Sequence, residues 1–155
     1  MTHFPNFLRA ALFATPIALA ACGMAPKADP MPMGSAGSVG FSATLSSAAE
    51  VPANTSAATG RLDATLDKGS NALRWTMTYS GLTGPATMAH FHGPAMPGAN
   101  AGVVVPFPNA ASPAAGETVL TPTQIADLMA GKWYANVHTA ANPGGEIRGQ
   151  VSVGR

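Results

Sequence analysis

Three histidines stand where their imidazoles could share one cation. His90 and His92 lie in Met88-Ala89-His90-Phe91-His92, and His138 lies in Tyr134-Ala135-Asn136-Val137-His138-Thr139. Side chains alternate across a strand, so His90 and His92 project from one face with Cα atoms roughly 6.6 Å apart. Two imidazoles at that spacing can converge on an ion held at about 2.0–2.1 Å. Met88 shares their face and extends the stripe to Met-x-His-x-His, while Phe91 points the other way, toward a core. If the strand of His138 lies beside this one, it supplies a third nitrogen. A three-imidazole set suits copper or zinc, and a thioether from Met88 or Met96 would favour copper(I).

The alternative for each histidine is structural: a ring hydrogen-bonded to a nearby backbone group that orders a loop. Both histidine segments run into Gly/Pro turns, Gly93-Pro94 and Pro143-Gly144-Gly145, where such a role is natural. Other chemistries lack a constellation. No Ser-His-Asp order, phosphate-cradling glycine loop or pair of catalytic carboxylates stands out.

The elements that must position these residues are short alternating runs punctuated by Gly, Pro and Asn. Val39 to Ser46 reads as a half-buried strand, and Arg61 to Asp67 repeats the pattern with a cleaner period of two. Lys68-Gly69-Ser70-Asn71 is a turn into the return strand Ala72 to Tyr79, so this pair forms a hairpin. Further strands are expected at Thr87 to His92, Gly102 to Phe107, Thr118 to Leu120, Trp133 to Thr139 and Glu146 to Val153. Trp75, Trp133 and Phe41 are core candidates. Glu146 and Arg148 alternate onto one face, where an exposed ion pair, with each other or with a neighbour, would contribute only about 0–1 kcal/mol.

One helix interrupts the strands. Thr121 suits the N-cap, Pro122 the first helical position, and Gln124 completes a capping box. Ile125, Leu128 and Met129 share a face, and Gly131 is a C-terminal stop. The fold class is therefore all-β: a Greek-key β-sandwich or barrel, superoxide-dismutase-like or immunoglobulin-like, with one short helix closing an end or edge.

The N-terminus speaks to compartment. Arg9 is the only charge before the apolar stretch Ala10 to Ala21, which runs into Cys22, the sole cysteine. Twelve residues as a helix reach only about 18 Å against roughly 30 Å of hydrocarbon, so the segment fits an export signal better than a span. Leu19-Ala20-Ala21-Cys22 resembles a bacterial lipoprotein signal, which implies cleavage after residue 21 and lipidation of Cys22. Residues 22–38, rich in Gly, Ala, Pro, Ser and Met, read as a tether. Met24, Met31 and Met33 belong to that composition. Residues 39–155 form the one domain.

On this reading the mature chain has no disulfide, and loss of Arg9 leaves seven basic against seven acidic residues. Such a balance makes no electrostatic case for nucleic acid. Membrane contact would come from acyl chains, at about 0.8 kcal/mol per buried methylene. The expected location is the bacterial cell envelope, on the periplasmic face or outer surface, and there copper is more plausible than iron.

Four blocks carry a family resemblance: Tyr79-Ser80-Gly81-Leu82, Ala89-His90-Phe91-His92-Gly93-Pro94-Ala95, Trp133-Tyr134-Ala135-Asn136-Val137-His138-Thr139, and Asn142-Pro143-Gly144-Gly145-Glu146-Ile147-Arg148-Gly149-Gln150. In order and spacing they resemble the signature of the CHRD domain, the chordin-type family that also occurs in bacterial envelope proteins. The resemblance covers roughly residues 40 to 153 and implies a β-sandwich. The His-x-His strand with a later strand histidine is also similar to the copper-ligand arrangement of copper–zinc superoxide dismutases. By that likeness His90, His92 and His138 would take copper positions and Arg148 would loosely parallel an anion-steering arginine. The chain departs from that pattern in having no bridging histidine, no zinc-ligand cluster and no disulfide.

These readings order the functions. The first is a non-enzymatic envelope lipoprotein binding copper, with zinc as the alternative ion, through His90, His92 and His138 and with Met88 as a further donor. Its role would be storage, sensing or delivery, with a metal donor or acceptor or another envelope protein as partner. The second is a structural or adhesive interaction module without metal. The third is a dismutase-type oxidoreductase.

Overall fold

A single antiparallel sheet curls until its two ends nearly meet. The computed structural model describes Met1 and residues 37–154. The signal segment, Cys22, His3, the tether methionines and nearly all of the tether lie outside the described residues. In chain order the strands are β1 (Ser38–Ser46), β2 (Thr59–Asp67), β3 (Ala72–Ser80), β4 (Ala86–His92), β5 (Val103–Pro106), β6 (Ala114–Val119), β7 (Tyr134–Thr139), β8 (Ile147–Gln150) and β9 (Ser152–Val153). One helix, α1 (Pro122–Met129), precedes β7, and a short 3-10 turn, Ser47–Ala49, follows β1. The pairing order is β5-β4-β7-β8-β1-β2-β3-β6, with β9 also on β1. This is the expected all-β architecture with one short helix, barrel-like and nearly closed.

Local chemistry sets the turns. At the β2–β3 hairpin the Asp67 carboxylate accepts from the backbone N–H of Gly69 and of Ser70 and from the Ser70 hydroxyl. Asn71 takes a left-handed conformation, φ 58°, that its short amide side chain tolerates. The hairpin then runs in unbroken register from Leu66↔Leu73 to Thr59↔Ser80. In α1, the Thr121 hydroxyl accepts from Gln124 N while the Gln124 side chain accepts from Thr121 N, the two halves of the anticipated capping box. Gly131 follows at φ 68°. Leu128 reaches the core, whereas Met129, placed by sequence on the same face, is exposed.

Inward residues of alternating strands fill the barrel: Phe41 and Leu45 of β1, Leu62 and Leu66 of β2, Trp75 and Met77 of β3, Phe91 of β4 and Val137 of β7. Phe91 is the hub of the aromatic packing. It meets the Trp75 ring edge-on at 5.3 Å between centroids, Phe107 at 4.9 Å and Trp133 at 5.6 Å. The segment joining β5 to β6 is tied to β3: Tyr79 Oη donates to Ala110 O at 2.6 Å, and Ser112 Oγ accepts from Tyr79 N.

Three details differ from the sequence expectation. β6 begins at Ala114, four residues before the predicted start, because register with β3 recruits Ala-Ala-Gly-Glu, which has little strand propensity of its own. The last predicted strand breaks at Val151, whose N–H turns aside to Trp133 O at 2.8 Å. The strand resumes against β1 in the register it left, Ser46↔Arg148 before the break and Ser42↔Ser152 after it. The third difference governs the site: β7 is buried along its whole length, on the outward face as well as the inward one. Segments 50–54, 93–102 and 142–145 lie over that outward face, with Asn100 Nδ2 donating to Val51 O and Asn54 Nδ2 to Glu146 O.

Candidate metal centre

β4 and β7 are adjacent and antiparallel, with Met88↔His138, His90↔Asn136 and His92↔Tyr134 as cross-strand partners. The strand period does the rest. Ala89 and Phe91 point into the barrel, and Met88, His90 and His92 point out, as do Tyr134, Asn136 and His138. His90 and His138 are therefore diagonal neighbours on one outward row. Their ring centroids are 5.1 Å apart, His90 to His92 is 5.5 Å, and His92 to His138 is 6.3 Å. One nitrogen from each of the three lies within 4.8 Å of the others. The convergence expected from the sequence is present.

Hydrogen bonds fix which nitrogen of the His92 ring is free. His92 Nδ1 lies 3.0 Å from Ala101 O, and His138 Nδ1 lies 3.0 Å from Pro143 O. A carbonyl only accepts, so His92 Nδ1 carries the proton and leaves Nε2 with the lone pair, whereas His138 has an acceptor oxygen at each ring nitrogen, Pro143 O at Nδ1 and Asn136 Oδ1 at Nε2. His92 Nε2 is buried and has no hydrogen-bond partner among the described residues. His138 Nε2 faces His90 Nδ1 at 3.3 Å and Asn136 Oδ1 at 3.0 Å. Two donors bound tetrahedrally at 2.0–2.1 Å from one ion stand roughly 3.3–3.4 Å apart, so the first of these spacings fits coordination without rearrangement. Backbone carbonyls orienting ligand imidazoles through their far N–H are a regular feature of metal sites.

Burial favours the neutral form of His90 and His138. His92 is 8% exposed, His138 6%, and His90 is partly covered. Desolvation pushes the His90 imidazole below its ordinary range, helped by His138 and His92. Desolvation likewise lowers His138, against the carbonyl of Pro143 and with His92 adding to the fall. Unprotonated rings are the form that coordinates a cation.

Sequence reasoning missed the surroundings. Tyr134 stacks on His92 with centroids 4.7 Å apart and planes 1° from parallel, and its hydroxyl donates to Ala101 O at 3.3 Å. Arg148 Cζ lies 3.4 Å from the Tyr134 ring centroid. Glu50, at the start of the covering segment 50–54, is buried, and its Oε1 has no hydrogen-bond partner among the described residues. Burial pushes its carboxyl up to about 7, while the charge of Arg148, the backbone at Val51 and the Asn136 amide act to lower it. Asn136 could have been found, since it alternates with His138 onto one face. Glu50, far off in sequence, gave no such signal.

The expected exposed pairing of Glu146 and Arg148 is corrected. Both are buried, and neither appears in an ion pair among the described residues. The Glu146 carboxylate accepts from Ser56 Oγ at 2.6 Å, Thr139 Oγ1 at 2.6 Å, and Thr83 Oγ1 and N at 2.8 Å. Burial opposes its charge, but these four donors outweigh it and hold the carboxyl down at about 2. Arg148 gives its guanidinium to Asn100 Oδ1 and Ala99 O. For Arg148 the loops over the outward face cause the difference, turning a position that alternation reads as solvated into an interior one, whereas Glu146 is enclosed by Ser56, Thr83 and Thr139.

Met88 is 48% exposed and sits outside the core, in register with His138, and Met96 is 60% exposed on the covering segment. The larger clefts lie elsewhere. One is lined by Thr44, Thr59, Arg61 and Tyr79 on the β1–β3 side. A smaller one, about 240 Å³, runs between Glu50–Asn54 and Ala141–Gly145, beside the histidines' covering loops.

The model of the CHRD domain family matches residues 41–151, nearly the whole described domain and all three histidines. No curated protein and no solved structure matches the chain.

Proposed function

We propose that this chain, which belongs to the CHRD domain family, holds one metal ion, copper before zinc, through His90, His92 and His138. The observation that carries the reading is His92 Nε2: a lone pair, buried, with its ring locked by Ala101 O and no hydrogen bond to accept among the described residues. Leaving a buried acceptor unsatisfied costs about 1–3 kcal/mol, a cost that an ion bound at this nitrogen removes. His90 and His138 at 3.3 Å could instead satisfy each other, so it is His92 that separates the metal reading from a structural one.

Copper is favoured by the donor set. Three imidazoles with no carboxylate or thiolate among them, and thioethers of Met88 and Met96 on the same flank of the fold, suit copper(I) better than a hard cation. The role is storage, sensing or delivery in the cell envelope, with Cys22 lipidated as the membrane anchor and a metal donor, metal acceptor or other envelope protein as partner. That placement rests on Leu19-Ala20-Ala21-Cys22. We assign holding and not turnover.

The second reading, a structural or interaction module, draws on the same two backbone bonds, which tie β4 to segment 93–102 and β7 to the turn at 142–145. Titration with copper(I), copper(II) and zinc decides between them. The metal reading expects a one-to-one complex that disappears in His92→Ala and His138→Ala. Binding no tighter than that of the denatured chain leaves the structural reading standing.

A further inference from the structure

We infer that Arg148 sets which charge state the histidine trio holds: a permanent cation, buried and stacked behind Tyr134, it weights the site toward a monovalent ion. The inference rests on the metal reading and deepens it, from an ion to the charge of that ion.

The geometry is a stack in strand order. His92 on β4 lies against Tyr134 on β7, and Tyr134 lies against Arg148 on β8. A guanidinium 3.4 Å from a ring centroid, on a ring stacked 4.7 Å from an imidazole, is a full charge one aromatic layer from a ligand. Arg148 is 2% exposed, so solvent does little to screen its guanidinium charge. Its direct partners are neutral oxygens, Asn100 Oδ1 at 2.9 Å and Ala99 O at 2.7 Å. No carboxylate or thiolate stands among the three candidate ligands.

Two buried carboxylates could cancel this charge, and neither does so fully. Glu146 hangs from Thr139, whose side chain lies on the opposite face of β7 from His138, and its oxygens are occupied by Ser56, Thr83 and Thr139. Glu50 does face Arg148, but desolvation resists its ionisation and leaves it only partly charged near neutrality. Arg148 therefore places a positive charge beside the trio before any ion arrives. A unit charge roughly 10 Å away at an effective dielectric of about 20 disfavours each further positive charge on the ion by about tenfold in binding constant. Copper(I) gains over copper(II) and over zinc by that factor.

The test uses the full chain, with copper(I), copper(II) and zinc each competed against a chromophoric chelator at pH 7. Arg148→Gln should raise the copper(II)-to-copper(I) affinity ratio about tenfold, which for a one-electron couple is a fall of 59 mV in midpoint potential. Zinc affinity should rise with copper(II). Arg148→Lys, which keeps the charge, should restore most of the wild-type ratio. Glu50→Gln removes the one facing anion and should move the ratio the opposite way. That opposition separates an electrostatic role from simple loosening of the loops, which would shift both variants alike, and Glu50→Gln decides alone if Arg148→Gln does not fold. A ratio unchanged in both variants, or moved in one direction by both, overturns the inference while leaving the metal site intact. Failure of the wild-type chain to bind copper or zinc overturns the metal reading and this inference together.

Discussion

His138 donates its Nδ1–H to the carbonyl of Pro143 across 3.0 Å, at the turn that leads from β7 into β8. One bond thus joins a ring of the histidine trio to the Pro143-Gly144-Gly145 turn. It makes the turn part of the site, although none of its residues offers a ligand atom.

The first prediction concerns that turn. Gly145 sits at φ 132°, and a Cβ there would overlap the Glu50 carboxylate. Gly145→Ala should destabilise the fold by about 1–3 kcal/mol, from backbone strain and displacement of Glu50 together. Because the turn holds His138, metal affinity should fall with it. Urea denaturation and copper titration of the same variant check both, and wild-type values in either would contradict the coupling.

The second concerns the ligands. At copper concentrations 100-fold above Kd, wild-type stability should rise by about 2.7 kcal/mol, seen as a higher Tm in a thermal melt. His90→Ala, His92→Ala and His138→Ala should each abolish the rise. Their apo stabilities should differ: His92→Ala loses the bond to Ala101 O and the Tyr134 stack, about 1–3 kcal/mol. His90→Ala, at a partly exposed ring, should cost less than that.

The third is a pH dependence with two opposite signs. The Glu50 carboxyl is raised from 4.5 to about 7, so ionising it opposes folding. Its destabilising contribution is absent below pH 4.5 and reaches full size as pH rises through about 7. Glu146, held at about 2, contributes stability that is complete above 4.5 and is lost as pH falls through about 2. Denaturation of wild type and Glu50→Gln between pH 4.5 and 8 should show the variant gaining on wild type as pH rises. A constant difference would mean that Glu50 does not titrate in this window.

The fourth separates fold from site. Thr121→Ala removes the N-cap of α1 and should cost about 1 kcal/mol with no change in metal affinity. Phe91→Ala, at the aromatic hub and wholly buried, should cost about 3–5 kcal/mol.

The strands, the hairpin turn and the capped helix were legible because each is written in local period and turn chemistry. So was the shared face of His90 and His92, which needs only alternation. The meeting of His138 with them depended on β4 pairing with β7, a partnership between distant segments that no local pattern encodes. Glu50 and the burial of Glu146 and Arg148 were illegible for a related reason. Alternation says which face a side chain takes, and it is silent on whether loops such as 93–102 later cover that face. β6 was found only at its C-terminal end, because Ala114 and Ala115 become strand through pairing with Met77 and Thr76 and not through preference.

A strand sealed on both sides exchanges its amide protons slowly and moves little. β7 is such a strand, and it supplies His138 along with the Tyr134 ring that braces His92. On the metal reading, an arriving ion would therefore meet a wall already in its final shape, with little ordering left to be done as it binds. On that reading the covering expected to yield is segment 93–102, which meets His92 through Ala101 O. The speed of uptake and release should then follow the opening of that segment, while the strength of holding follows the rigid strand beneath it.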